Sequence, residues 1–295
     1  MASGPYHFDP KLVRLRKARA RKNFSKHSFL SDMVAAQIGD RLLDIKIDMP
    51  RILISGAGRL SEKQVKTFYK NSGAGGLCRL DTVSGDIIGD EEYFPFGKDS
   101  LDAIISHLSL HNINDLPGAL IQINYALKPN GAFLGAMFGG ESLYELREAL
   151  MATEMELKGG VSPRISPFAD KQQMGALLQR AGFALPVVDS DIIKVSYKDV
   201  FTLMRDIKGM GEGNMLSARN REYPGRAFFT KADEKYRDLF CDENGQLVAS
   251  FEIIYLIGWA PHETQQKPLR PGSAKKSLAQ ALGTKEHGTG VRVKQ

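Results

Sequence analysis

The sequence predicts a doubly wound α/β fold, a sheet of largely parallel strands with helices on both faces. Three observations carry this reading. Short apolar runs stopped by glycine or turn residues recur at 51–58, 101–108 and 131–138, the pattern of strands buried on both faces. Segments with apolar residues at helical spacing lie between them. Those segments are long enough to be crossovers that return each strand in the same direction.

Residues 9–46 read as two helices, with Leu12, Leu15, Phe24, Phe29, Leu30, Met33, Ile38, Leu42, Leu43 and Ile45 as candidate buried positions. A strand follows Pro50 and runs from Arg51 into Gly56-Ala-Gly58. Glu62 to Asn71 is helical, Leu77 to Val83 a second strand and Asp86 to Gly89 a third. Leu101 to Leu108 is the next apolar strand and Asp115 to Leu127 an amphipathic helix. The turn Pro129-Asn-Gly131 opens a strand to Phe138. Beyond it, 141–155, 170–181 and 198–208 read as helices and 185–195 and 248–258 as strands. The organisation is an N-terminal helical segment (1–46), an α/β domain (47–263) with a helical insertion around 141–225, and a basic tail (264–295) too poor in apolar residues to pack, hence flexible.

At 42% hydrophobic and 25% charged, the 295-residue chain has the makings of a sizeable core. No stretch reaches the ~18–20 apolar residues of a membrane-spanning helix. The start lacks a basic segment followed by an apolar one, so it does not read as a secretory signal. Two cysteines, Cys78 and Cys241, are too few for a disulfide scaffold. The net charge of +6 is unevenly placed. Residues 11–26 hold eight bases and no acid, and 264–295 hold seven bases and one acid. Subtracting these fifteen bases and one acid from totals of 40 and 34 leaves 25 and 33, an acidic body. Basicity confined to the ends argues against nucleic acid as a partner, since phosphate binding wants Lys and Arg on a folded face.

In a doubly wound sheet, ligands sit at the carboxyl ends of the strands. Gly56 and Gly58 there would let backbone approach a ligand before a helix N-terminus, although a simple tight turn explains them as readily. Asp81, Asp90 and Glu91 lie at the next strand ends and suit ribose hydroxyls or an exocyclic amine; the alternative for each is a solvated loop acid. His107 and His111 stand four apart without an acid in register, so no metal site is expected. One histidine lining a pocket is the preferred reading.

Gly56-Ala-Gly58, Asp90 to Phe96, Ser109-Leu-His111 with Asn114 to Pro117, and Leu127-Lys-Pro-Asn-Gly131 together resemble the seven-stranded, Rossmann-like class I methyltransferases that bind S-adenosylmethionine. Gly135 to Gly140, Leu143 to Arg147, Ser162 to Phe168, Gly209-Met-Gly-Glu212 and Ile257-Gly-Trp259 are more specifically similar to the family of mitochondrial complex I assembly factor 5 and its bacterial methyltransferase-like relatives, over roughly residues 7–275. The resemblance implies a methyltransferase, or an arginine hydroxylase as in the mitochondrial relative, that modifies a protein client such as a complex I subunit. It implies Gly56 and Gly58 at the methionine end of the cofactor, Asp81 at the ribose, Asp90 and Glu91 at the adenine amine, Ser109 facing the cofactor and His111 as the catalytic base. Gly139, Gly140, Tyr144, Glu145 and Arg147 would shape the acceptor site, their alternative being a helix cap and a solvated helix face.

The chain departs from the superfamily pattern at four places. Ile54 stands where an acid is usual, Leu60 where a third glycine is usual and Asn112 where the family tends to an aromatic residue, and the stretch from Asp81 to Asp90 is too short for its helix. Losing one charge-assisted hydrogen bond costs ~1.5–3 kcal/mol, so weakened cofactor binding is expected. The alternative function is a non-catalytic assembly factor on a methyltransferase fold; a third, an RNA methyltransferase drawn by the basic ends, is the least supported. The basic start could be a transit peptide, but it matches the family's mature fold. The expectation is therefore a helix capping the cofactor cleft of a cytoplasmic bacterial protein, or a mitochondrial matrix protein if the chain is eukaryotic.

Overall fold

The computed structural model describes residues 6–56, 58, 60–266, 273, 277, 280 and 282–284. Residues 1–261 form one unit, and 262–295 a second. In the second, His262 Nδ1 lies 2.8 Å from Thr264 Oγ1 and Ser277 Oγ accepts from the Gln280 backbone N–H at 3.2 Å; most of the tail expected to be flexible lies outside the described residues.

The chain opens with α1 (Pro10–Arg21) and α2 (Phe29–Asp44). Asp9 caps α1 by accepting from the Leu12 N–H at 3.2 Å, and proline at the first helical position needs no partner for a missing N–H. Helix α2 buries Leu30, Val34, Ile38 and Leu42, one every four residues, which is one face of a helix. Of the buried positions expected in this region, Leu15, Met33 and Leu43 are exposed, because Val13 and Val34 hold the inward stripe instead.

Then follow β1 (Arg51–Ser55), α3 (Glu62–Ser72), β2 (Gly76–Asp81), β3 (Ile87–Ile88), β4 (Leu101–His107), α4 (Leu116–Ala126), β5 (Leu127–Phe138), α5 (Tyr144–Lys158), α6 (Lys171–Arg180), β6 (Ala184–Tyr197), α7 (Val200–Met210), α8 (Arg226–Phe240) and β7 (Leu247–Trp259). They build a seven-stranded sheet of order β3-β2-β1-β4-β5-β7-β6. The first five strands are parallel, whereas β7 runs antiparallel to both β5 and β6. The expected doubly wound α/β sheet is present but mixed, since β7 enters between β5 and β6 from the opposite end. No helix separates β2 from β3, as the short spacing predicts.

Alternation along the strands divides the core. Ile52 and Ile54 of β1, Ala103 and Ile105 of β4, and Leu134 and Ala136 of β5 face the layer that includes α2, α5, α7 and α8. Leu53, Ile104, Phe133 and Met137 face α4 and α6. Both sheet faces are thereby covered, which explains runs that are apolar at every position. Helix α8 was not expected; its signal is Phe228, Ala232 and Tyr236, buried at four-residue spacing in an otherwise charged segment. Within residues 141–225, α5, α6 and α7 are joined by the 14-residue β6, which includes the strand expected at 185–195.

Candidate active site at the strand ends

The carboxyl ends of β1, β2, β3 and β4 converge. Gly56 follows β1 with φ of +70°, and a Cβ there would lie 2.2 Å from the His107 carbonyl oxygen. Only glycine lets the β1 end lie against the β4 end in that conformation. A Cβ on Gly58 would meet the Asp81 carboxylate at 2.9 Å. Asp81 is buried and accepts from three backbone N–H groups: Val83 at 2.8 Å and Ser84 at 3.2 Å on Oδ1, and Gly58 at 3.3 Å on Oδ2. Its Oδ2 retains acceptor capacity, since a carboxylate oxygen has two lone pairs.

The acidic run after β3 divides its roles. Asp90 is half-buried and its Oδ1 accepts from the Glu92 N–H at 3.0 Å. Glu91 is buried and accepts from Ser55 Oγ at 3.0 Å. Glu92 closes the turn before α4, accepting from the backbone of Asn114 and Asp115. Ser109 is buried, its Oγ 3.1 Å from Ser106 Oγ and 3.4 Å from Ser55 Oγ. Thus Gly56, Gly58, Asp81, Asp90, Glu91 and Ser109 share one end of the sheet. Ile54 is wholly buried in the core, and Leu60 packs against the α2 side of it.

Helix α1 roofs this region. Lys17 lines both of two narrow clefts, one with Gly58, Asp81 and Ser84, the other with Thr82, Asp90, Glu91 and Ser109. Their volumes, about 20 and 30 Å³, match one or two water molecules each. The 3₁₀ turn after α1 is tied to α7 by His27 Nδ1, 2.6 Å from Asp206 Oδ1. The donor set nevertheless fits a nucleoside-bearing cofactor. Among the described residues, Thr82 Oγ1 and Asn112 Oδ1 are buried without a hydrogen-bond partner, and both residues line the second cleft. Such groups are costly unless a ligand or water meets them.

A larger cavity, about 290 Å³, lies beside the clefts. Its walls include Phe138, Leu146, Phe168, Ile207, Met210 and Phe251, with Glu212 and Arg164 among its few polar groups. His111 is fully buried behind it, edge-on to Phe138 and Phe168, with Nε2 3.1 Å from Glu212 Oε2. Asn112 Nδ2 donates to the same Oε2 at 3.0 Å. Glu212 therefore presents the acid to the cavity, and the expected base His111 stands one residue behind. The chain reverses at Gly211, φ +82°, which caps α7 and turns Glu212 inward.

The residues expected to shape the acceptor site are largely structural. Glu145 is buried and accepts from the Ser250 N–H at 3.1 Å and Oγ at 2.5 Å, pinning α5 to β7. Tyr144 packs edge-on against Phe240, and Arg147 donates to the Gly140 and Ser142 carbonyls at 3.3 Å. Sequence reasoning missed Glu212 and Arg16 as cavity residues; the signal lay in Gly209-Met-Gly-Glu212, where glycines precede a lone acid.

A methyltransferase domain model matches residues 58–135. The chain is 40% identical over 285 residues to "Arginine-hydroxylase NDUFAF5, mitochondrial" of Mus musculus, covering 92% of this chain and 83% of that one. It is 41% identical over 287 residues to the Homo sapiens protein of the same name, covering 92% and 82%. Against the malonyl-[acyl-carrier protein] O-methyltransferase of Gallionella capsiferriformans it is 29% identical over 279 residues, covering 86% and 91%. The YcgJ protein of Bacillus subtilis shares the fold at a TM-score of 0.51 and 15% identity, over 76% of this chain and 97% of that one.

Proposed function

This chain belongs to the family of the mitochondrial arginine hydroxylase NDUFAF5, proteins built on a methyltransferase fold, and on that premise we propose that it uses S-adenosylmethionine at the strand-end cleft to modify an arginine side chain of a protein client. The client we infer is a subunit of respiratory complex I, and the compartment, for a eukaryotic chain, the mitochondrial matrix. No helix among the described residues is long and apolar enough to cross a membrane. We assign no role to nucleic acid.

The observation that carries the reading is a shared wall. Asn112 lines the acidic cleft and Glu212 lines the apolar cavity, and the two are joined by a 3.0 Å hydrogen bond. A cofactor on one side and an acceptor side chain on the other would meet there, the proximity that group transfer requires. Asp81 would hold the ribose hydroxyls, Asp90 and Glu91 the adenine amine, and the backbone at Gly56 and Gly58 the methionine end, with Ser109 between them. The chemistry S-adenosylmethionine supplies when bound is a methyl group activated by its sulfonium. Lys17 and its helix must withdraw to admit a nucleoside, because the clefts hold only water-sized groups.

Calorimetry with S-adenosylmethionine tests the proposal. Micromolar binding that weakens by one to two decades in Asp81→Ala supports it, as expected for one lost charged hydrogen bond; no heat at millimolar cofactor refutes it. Mass spectrometry of a complex I subunit incubated with the protein and cofactor then reads the product, a methyl increment on arginine. A second reading, a binding platform without catalysis, is favoured by the closed cleft under α1 and by Ile54 lying in the core where an acid would serve the cofactor. On that reading the binding of cofactor stays weak and the complex I client still associates.

A further inference from the structure

Positive charge prevails in the lining of the larger cavity. Four charged side chains line it, the bases Arg16, Arg164 and Lys208 against the acid Glu212. Arg164 is paired with Glu154 at 2.6 Å and stacks over the Phe228 ring at 4.6 Å. Glu212 is engaged by Asn112 Nδ2 at 3.0 Å and His111 Nε2 at 3.1 Å. Arg16 differs from both. It is half-buried, and among the described residues its Nε is buried without a hydrogen-bond partner. Burial, then the neighbouring charges of Arg219 and Arg19, press its guanidinium below the ordinary arginine value. A buried charged donor left unmet is costly, and an anion in the cavity would remove that cost.

The loop after α7 leaves space for this side chain. Gly213 follows Glu212, and a Cβ there would overlap Arg16 Nη1. The cavity walls include Phe138, Phe168, Phe251 and Ile207, and such walls discriminate among anions. A doubly charged phosphate loses more on leaving water than a singly charged carboxylate does. The guanidinium fork matches a carboxylate with two parallel hydrogen bonds, and the rings suit an apolar group next to it.

We propose that the larger cavity binds a carboxylate borne next to an apolar side chain, with Arg16 as its partner, and that the protein client supplies it as an acidic residue near the arginine to be modified. This rests on the reading that the cavity receives that segment of the client. An arginine entering beside Arg16 and Lys208 meets like charges, which opposes binding; an acid in the same segment offsets them. The inference requires neither bound cofactor nor turnover, so its failure is separable from failure of the cofactor assignment.

The test is calorimetric titration of the full chain with the capped peptide Ala-Phe-Glu-Leu-Ala, with its neutral counterpart Ala-Phe-Gln-Leu-Ala, and with free hexanoate. Wild type is expected to prefer the glutamate peptide over the glutamine peptide by about 10- to 100-fold, the range of one charge-assisted hydrogen bond, and to bind hexanoate more weakly than the glutamate peptide. Arg16→Met keeps the apolar stem, removes the charge and brings the preference to about one, while Arg16→Lys, which keeps the charge and loses the fork, retains part of it. Gly213→Ala displaces the guanidinium and reduces the preference with Arg16 still present. Lys11→Met, at an exposed base of the same helix, leaves the preference unchanged, so general attraction by the helix is not what is read. Because the Arg16 donor is unmet in the fold, Arg16→Met should not lower the melting temperature, whereas loss of a structural contact would. Loss of folding alone would weaken both peptides together, and circular dichroism checks that the variants remain folded. An equal or absent affinity for the two peptides in wild type, or an undiminished preference in a folded Arg16→Met, overturns the proposal; hexanoate bound as tightly as the glutamate peptide overturns the assignment to a protein client.

Discussion

Replacing Glu154 by alanine should unpin the wall of the larger cavity. Glu154 lies on α5, 2% exposed, and its carboxylate accepts from the Ser162 N–H at 2.8 Å, Ser162 Oγ at 2.8 Å, Arg164 Nη2 at 2.6 Å and Arg164 Nε at 3.2 Å. These bonds hold the loop that carries Ile165, Ser166 and Phe168 into the cavity. Alanine leaves the half-buried Arg164 guanidinium without its counter-charge, and breaking one partner of a buried pair costs ~3–5 kcal/mol. At ~2–4 °C per kcal/mol for a domain of this size, the melting temperature should fall by about 10 °C or more at neutral pH. The effect should depend on pH. Burial opposes ionisation of Glu154, but hydrogen bonds from Arg164 and Ser162 and the arginine charge outweigh it, and the carboxyl sits below its ordinary value. A carboxyl depressed in the folded state contributes stability above its unfolded pKa, near 4.3, and loses that contribution as pH falls through the lower folded value. Differential scanning calorimetry of wild type and Glu154→Ala, at pH 7 and stepwise below pH 4.5, reads both. A shift under ~2 °C at pH 7, or a gap that widens in acid, would show that the network does not stabilise the fold as argued.

Three further outcomes follow from the same reasoning. Gly56→Ala forces a side chain into a left-handed position against the His107 carbonyl and should cost about 2 kcal/mol or more in urea unfolding; an unchanged midpoint would mean the β1 and β4 ends separate freely. Tyr236→Phe removes the hydroxyl that donates to the Val248 carbonyl at 2.8 Å and should cost about 1 kcal/mol, measured in the same way, with no loss counting against a net contribution from that bond. Burial pushes the Tyr255 hydroxyl up to about 12 despite the Arg41 guanidinium 4.0 Å from its ring; in an ultraviolet pH titration it should ionise after the exposed tyrosines, and an early phase lost in Tyr255→Phe would contradict that.

Much of the fold was legible because each signal was local. Ile52, Leu53 and Ile54 are apolar in succession because both sheet faces are covered, and glycine or turn residues mark where β1 and β5 stop or start. The antiparallel entry of β7 was not legible, since its apolar run reads the same in either direction. Helix α8 was missed because its three buried residues sit among charges, where packing against α5 and α7 rather than average hydropathy decides. At the site, the strand-end acids could be placed because topology alone brings those ends together. The division of labour between them could not: Asp90, Glu91 and Glu92 are consecutive and all border the second cleft, yet Asp90 accepts from the Glu92 N–H, Glu91 takes the Ser55 hydroxyl and Glu92 closes a turn. Glu212 is more remote still, a hundred residues from Asn112, and only the reversal at Gly211 brings it there.

The position of α1 changes what the uneven charge means. Two of its bases, Arg16 and Lys17, are half-buried against the body of the protein, while Lys11, Arg14, Arg19 and Arg21 are exposed. Lys17 lines two clefts, one with Asp81 and the other with Asp90, Glu91 and Glu92, and Arg16, the adjacent residue, lines the larger cavity. Opposite charges facing across a narrow, partly buried cleft attract more strongly than they would in open water, so Lys17 favours the seating of the helix over these acids. Phe8 and Val13 anchor the start of that helix against Met215 and Leu216, just beyond Glu212. The helix that roofs the strand-end clefts and the loop that carries Glu212 to the larger cavity are therefore packed on each other. A displacement of α1 large enough to admit a nucleoside must break the Phe8 and Val13 packing or carry the Glu212 loop with it, and because α1 places Lys17 at the clefts and Arg16 at the larger cavity, either movement alters both spaces.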